Sequence, residues 1–153
     1  MSLTYAEARD EVTELVSSAW AASGAVTENI PLIFYDKLES GNTEHEGSHV
    51  PDVEAPWGLF RIAFGPAEQA GHGDSRKRYQ RNGVIILDIH TKPGDGLQMA
   101  DDIVQVVADA VEGETTPGGV LFRTFDPKDR GRSGNSHLTR VTISFEFDQV
   151  KEI

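Results

Sequence analysis

SRKRYQRNGVIILDIHTKPGDG, residues 75–96, decides how the chain folds. Four of the six residues from Arg76 to Arg81 are cationic, and an apolar run follows at once. From Val84 to Ile89 nearly every residue is apolar. That pattern predicts a central strand covered on both faces rather than a half-solvated one. Arg76–Thr91 is therefore expected as one long strand, with a possible bulge at Asn82-Gly83. Within it Arg76, Arg78 and Gln80 point one way and Lys77, Tyr79 and Arg81 the other. Pro93-Gly94-Asp95-Gly96 ends the strand, and Asp95 with Gln98 can cap what comes next. Residues 97–111 place Leu97, Ala100, Ile103, Val104, Val107, Ala108 and Val111 on one helical stripe, with Asp101, Asp102, Gln105 and Asp109 opposite.

Upstream, Thr4 and Glu7 form a T-x-x-E capping box. Tyr5, Ala8, Val12, Leu15, Val16, Ala19 and Trp20 then recur at helical spacing, so residues 4–22 are expected as a helix stopping near Gly24. Residues 30–35 (IPLIFY) and 57–64 (WGLFRIAF) are expected strands, Pro31 marking a strand start or an edge. Between them residues 36–56 are polar and turn-rich, expected as a long loop. Residues 65–74 are a Gly-rich connection. Downstream, residues 120–125 form a short strand, and residues 126–135 (DPKDRGRSGN) are expected as a charged loop. The last strand, residues 138–147, alternates Val141, Ile143, Phe145 and Phe147 inward with Thr142, Ser144 and Glu146 outward. The sum is an α+β fold over residues 1–153, one domain, with a mostly antiparallel sheet of about four to five strands and two helices packed on one face.

The 153 residues carry a formal charge of −11. Residues 1–75 hold 13 acids and 3 bases, and residues 76–153 hold 12 acids and 11 bases. Such acidity disfavours duplex DNA binding, which depends on neutralising phosphates. It suits a protein meeting partners through complementary faces. There is no cysteine, which excludes disulfides, thiolate nucleophiles and Cys-based zinc sites. No apolar run is long enough to span a membrane, and MSLTYAEARDEV lacks the pattern of a secretory signal.

Three constellations could carry chemistry. Glu44, His45, Glu46, His49, Asp52 and Glu54 offer metal-ligand types, but in a loop without convergent geometry. Asp88 and His90 share a strand face and, with Ser136 beside His137, supply the residue types of nucleophilic catalysis. No nucleophile-elbow motif supports them. The Gly-rich segments match neither phosphate-binding spacing. The cationic run with Tyr79 suits single-stranded nucleic acid only superficially, because alternation splits it across two faces.

The order of segments resembles the tail terminator (tail completion) proteins of long-tailed bacteriophages, the lambda tail terminator being typical. The likeness runs over residues 3–149. It rests on the helix followed by IPLIFYD, on APWGLFRIAFG, on the arginine-rich strand running into VIILDIH and a Pro-Gly-x-Gly helix start, and on GGVLF and TRVTISFEFD. The resemblance implies an α+β fold and a non-enzymatic hexameric ring without cofactor or metal. It implies a virion protein made in the host bacterial cytoplasm and placed at the head-proximal end of the tail tube. There it would stop tube polymerisation and join the head–tail connector, with no membrane involved. Another head–tail connector or minor tail protein, or a small hydrolase or metal-binding enzyme, are the alternatives. No site residues carry over from the family. From the charges alone, Arg76, Lys77, Arg78, Tyr79, Arg81, Arg123, Lys128, Arg130 and Arg132 are candidate contacts to the next subunit, the tail tube protein or the connector. Glu44, Glu46, Asp52, Glu54, Asp101, Asp102 and Asp109 are candidates for an acidic lumen or surface, which would let DNA pass without specific binding.

Overall fold

A computed structural model describes residues 2–24, 26–27, 29–35, 55–73, 75–94 and 97–152. The elements run α1 (Tyr5–Ala22), β1 (Leu32–Phe34), β2 (Trp57–Phe64), β3 (Glu68–His72), β4 (Arg76–Thr91), α2 (Gln98–Val111), β5 (Leu121–Ser133) and β6 (Ser136–Glu152). The expected α+β architecture is present, with a sheet ordered β1-β2-β4-β6-β5 and β3 also paired to β4. Among the described strands only the β1–β2 pair is parallel.

β4 is the spine. Eight of its residues, from Gly83 to His90, pair with β2, and its whole length from Arg76 to Thr91 pairs with β6. Register with β6 is continuous through Asn82 and Gly83, so of the two readings the long strand without a bulge holds. Bulges instead interrupt β3 between Gln69 and Gly71, and β5 at Phe122/Thr124 and Asp129/Gly131. Gly83 suits the unbroken crossing because a Cβ there would sit 2.6 Å from Phe145 Cζ and 3.0 Å from the Ala63 carbonyl oxygen.

Both helices pack on one face. Ala8, Val12, Val16 and Trp20 of α1 and Ile103, Val107 and Val111 of α2 are buried over Ile85, Leu87, Ile89, Val141, Ile143 and Phe145. The α1 capping box forms: Thr4 Oγ1 accepts from the Glu7 amide at 3.2 Å, and Glu7 Oε1 accepts from the Thr4 amide at 3.0 Å. Trp20 ties the helix to the sheet margin by donating from Nε1 to the Ile30 carbonyl at 2.9 Å.

Several expectations require correction. β4 is not doubly covered: Ile85, Leu87 and Ile89 are fully buried, whereas Val84 and Ile86, on the face without helices, are only partly so. The described residues form six strands rather than four or five because the Gly-rich connection contains β3. Residues 126–133 are not a loop: they continue β5 as the edge of a long hairpin with β6. Pairing with β6 overrides their polar composition, since an edge strand can leave one side to solvent. β6 likewise extends past Phe147 to Glu152, because the cationic start of β4 offers it a partner. Leu97 is not on the buried stripe: it is 49% exposed and precedes α2 as an N-cap without a side-chain hydrogen bond. Asp95, expected in that cap, and the loop at 36–54 lie outside the described residues.

Candidate functional site

The sheet is broadest where β1, β2, β4, β6 and β5 run together and narrows to β3, β4 and β6 at the start of β4. This three-stranded extension carries the RKR segment. Its alternation is as expected, and the register with β6 shows what each face meets.

On the face without helices the cations find acids within the same sheet. Arg78 Nη2 lies 2.7 Å from Asp148 Oδ2, and its Nε donates to the same oxygen at 3.0 Å. Arg76 reaches Glu152 at 4.0 Å, Gln80 donates to Glu146 at 3.0 Å, and Arg123 pairs with Glu146. The ladder resumes beyond Val84 and Ile86. There Arg140 donates to both oxygens of Asp88, at 2.7 and 3.1 Å, and Lys128 lies 3.4 Å from Asp126. The hydrogen bonds it donates to Asp88 raise the Arg140 pKa further above its usual range. These pairs are cross-strand or near neighbours, and most are solvent-exposed. They set register and suppress edge pairing more than they stabilise.

On the helix side Arg81 is turned inward and is 7% exposed. Its Nη1 donates to the Tyr5 hydroxyl at 2.7 Å and its Nε to Gln149 at 2.9 Å. The guanidinium lies over the Tyr5 ring at 4.6 Å and the Tyr79 ring at 5.4 Å. Lys151 Nζ lies 5.4 Å from the Tyr79 centroid. Arg81 thus fastens α1 to the extension.

Of the remaining candidates, Arg130 and Arg132 are exposed near the tip of the β5–β6 hairpin and form no ion pair among the described residues. Asp101, Asp102 and Asp109 are exposed on the outer side of α2, where Asp109 accepts from Gln105 at 2.7 Å. Glu44, Glu46, Asp52 and Glu54, with His45 and His49, lie outside the described residues. Among the described residues no group of three or more His, Asp or Glu side chains converges as a metal site. No helix among them is long and apolar enough to cross a membrane.

The catalytic constellation comes together only in part. His90 Nδ1 and Ser136 Oγ are 2.7 Å apart, brought together by the antiparallel start of β6. The imidazole stacks on Trp57 with centroids 4.0 Å apart, and burial lowers its pKa, partly opposed by Asp88. Asp88, however, is bound to Arg140 rather than to the imidazole, so the orienting carboxylate of a triad is engaged elsewhere. His137 Nε2 lies 2.9 Å from Asp129 Oδ1, on the other face of the sheet. The sequence missed both the Arg140–Asp88 fork and the acids of β6 that meet the RKR segment. Alternation of Glu146 and Asp148 along the last strand was the available signal.

No protein-family model matches the chain, and no curated protein matches it. A solved structure whose name describes no role aligns at 16% identity with a TM-score of 0.52, covering 88% of this chain and 94% of its own. A chain from the virion of a native gene transfer agent particle aligns at 17% identity with a TM-score of 0.47, covering 98% of this chain and 100% of its own. The first likeness is one of fold, at an identity too low to carry a role, and the second alignment is too loose to carry even that.

Proposed function

We propose that the protein is a structural component of a bacteriophage tail or phage-derived particle, and within that class a tail terminator. In this reading copies form a ring, sixfold as the resemblance implies, on the head-proximal end of the tail tube. The ring stops polymerisation of the tube protein and offers the head–tail connector a surface. No cofactor or catalytic residue is assigned.

The observation that carries the reading is the match between the fold and the one the resemblance implies. A cationic segment enters one long central strand, a Pro-Gly break leads into an amphipathic helix, and the terminal alternating strand pairs along the whole spine. Charge supports it. The exposed side of α2 bears acids and no base, while the hairpin edge bears Arg130 and Arg132. Unlike patches on one chain suit heterologous contacts, which form a ring where the rotation between copies closes. Six copies at −11 each would also repel DNA passing through.

Electron microscopy of tails assembled without this protein tests the role. Tubes of uncontrolled length that fail to join heads are expected. Tubes of normal length that fail to join heads would instead assign a connector role, and normal tails on heads would refute both.

A further inference from the structure

The two faces of the sheet extension differ in charge as well as direction. The face without helices is neutralised by Asp148, Glu146 and Glu152, as described above. On the helix side Lys77, Tyr79 and Arg81 stand opposite Lys151, Gln149 and Phe147. Those six positions contain three cations and no carboxylate. Lys77 and Lys151 face each other directly, and like charges so placed are destabilising. Arg81 is occupied by Tyr5 and Gln149. Lys151 is exposed, Lys77 is half-buried, and neither forms an ion pair among the described residues. A cationic pair beside an aromatic ring, without its anion, is a surface made for a carboxylate-bearing partner.

The same chain carries such a partner. α2 has Asp101 and Asp102 exposed near its start and no basic residue along its length. The two features cannot meet within one copy. The lysines sit at the start of β4, whose 16 residues span about 50 Å. α2 begins just after the other end of that strand, following residues 92–97.

We propose that the helix-side patch of Lys77, Tyr79 and Lys151 on one copy receives the acidic start of α2, Asp101 and Asp102, from a second copy. The contact is heterologous and head-to-tail, and it rests on the ring reading above, to which it adds the paired surfaces.

Zero-length carbodiimide crosslinking of the full chain, followed by peptide mapping, tests the contact. The expected product joins Lys77 or Lys151 to Asp101 or Asp102 in species of two or more chains, with a yield that falls as salt rises. Lys77→Glu is the decisive variant. It places an acid opposite Lys151, so thermal stability holds or rises while self-association weakens by about tenfold. Mixing Lys77→Glu/Lys151→Glu with Asp101→Lys/Asp102→Lys should restore mixed assembly. Rings crosslinked through other residues would overturn this contact and leave the ring standing. A monomer at every concentration, with and without tube protein, would overturn both. DNA binding that Lys77→Glu abolishes, with no crosslink between copies, would assign the patch to nucleic acid and overturn the proposal.

Discussion

At the scale of single residues, two sites on β4 give predictions of opposite kinds. Gly83 crosses the sheet where Phe145 and the Ala63 carbonyl leave no room for a Cβ. Phe145 is fully buried and cannot step aside. Gly83→Ala should therefore cost about 1–3 kcal/mol, read as a lower denaturant midpoint with unchanged slope. His90 predicts a pH effect. Burial against Trp57 disfavours its charged form, so its pKa is lower folded than unfolded. The unfolded chain then binds more protons between the two values. Stability from this site is complete above the ordinary histidine pKa of about 6.5 and is lost as pH falls through the folded value. Thermal melts across that window should show a decline in the wild type that His90→Gln lacks; parallel curves would exclude His90 as the cause. Arg81 shows what composition conceals. It belongs to a cationic run, yet its charge serves Tyr5 and Gln149 inside the molecule. Alternation sets it on the face opposite Arg78, but nothing in RKRYQR says that its charge is used inside the molecule, because the tyrosine that receives it lies 76 residues away.

At the scale of elements, legibility followed burial. α1, α2, β4 and the inner half of β6 bury apolar residues at a regular period, and their patterns were readable because water exclusion wrote them. Val141, Ile143, Phe145 and Phe147 are buried as alternation required. The far part of β5 was unreadable for the converse reason. Asp126, Lys128, Asp129 and Arg130 are all exposed, so no apolar period marks the strand. Pro127 and Gly131 argued for a loop, yet Pro127 is tolerable on an edge and Gly131 sits at a bulge with φ of 75°. Val84 and Ile86 misled differently: apolar residues on both sides of a strand do not say whether a second layer of the same chain exists. Hydrogen exchange checks the hairpin. Alternate amides between residues 125 and 133 should be protected as those of an antiparallel edge strand, whereas uniformly fast exchange would return this segment to a loop.

At the scale of the whole molecule, charge is what the sequence could count but not place. Five of the eleven cations in the second half meet an acid in the same sheet: Arg76, Arg78, Arg123, Lys128 and Arg140. Arg81 is turned inward, and the rest, Lys77, Lys92, Arg130, Arg132 and Lys151, form no ion pair among the described residues, which narrows the candidate surface. Arg130 and Arg132 are among those that remain, close to the turn at Gly134 between two strands fixed by backbone pairing. An exposed edge-strand cation contributes little to folding, so replacing it changes stability by less than about 0.5 kcal/mol. If the hairpin tip engages an acidic face of the tube or connector, charge reversal there should act on assembly alone. Arg130→Glu/Arg132→Glu should melt as the wild type does, yet leave most tails uncapped or headless in a complementation assay scored by negative-stain microscopy. Raising salt should weaken capping by the wild type in the same direction, because both manipulations remove the same screened attraction. A variant that caps tails normally would show that the tip faces solvent in the assembled particle.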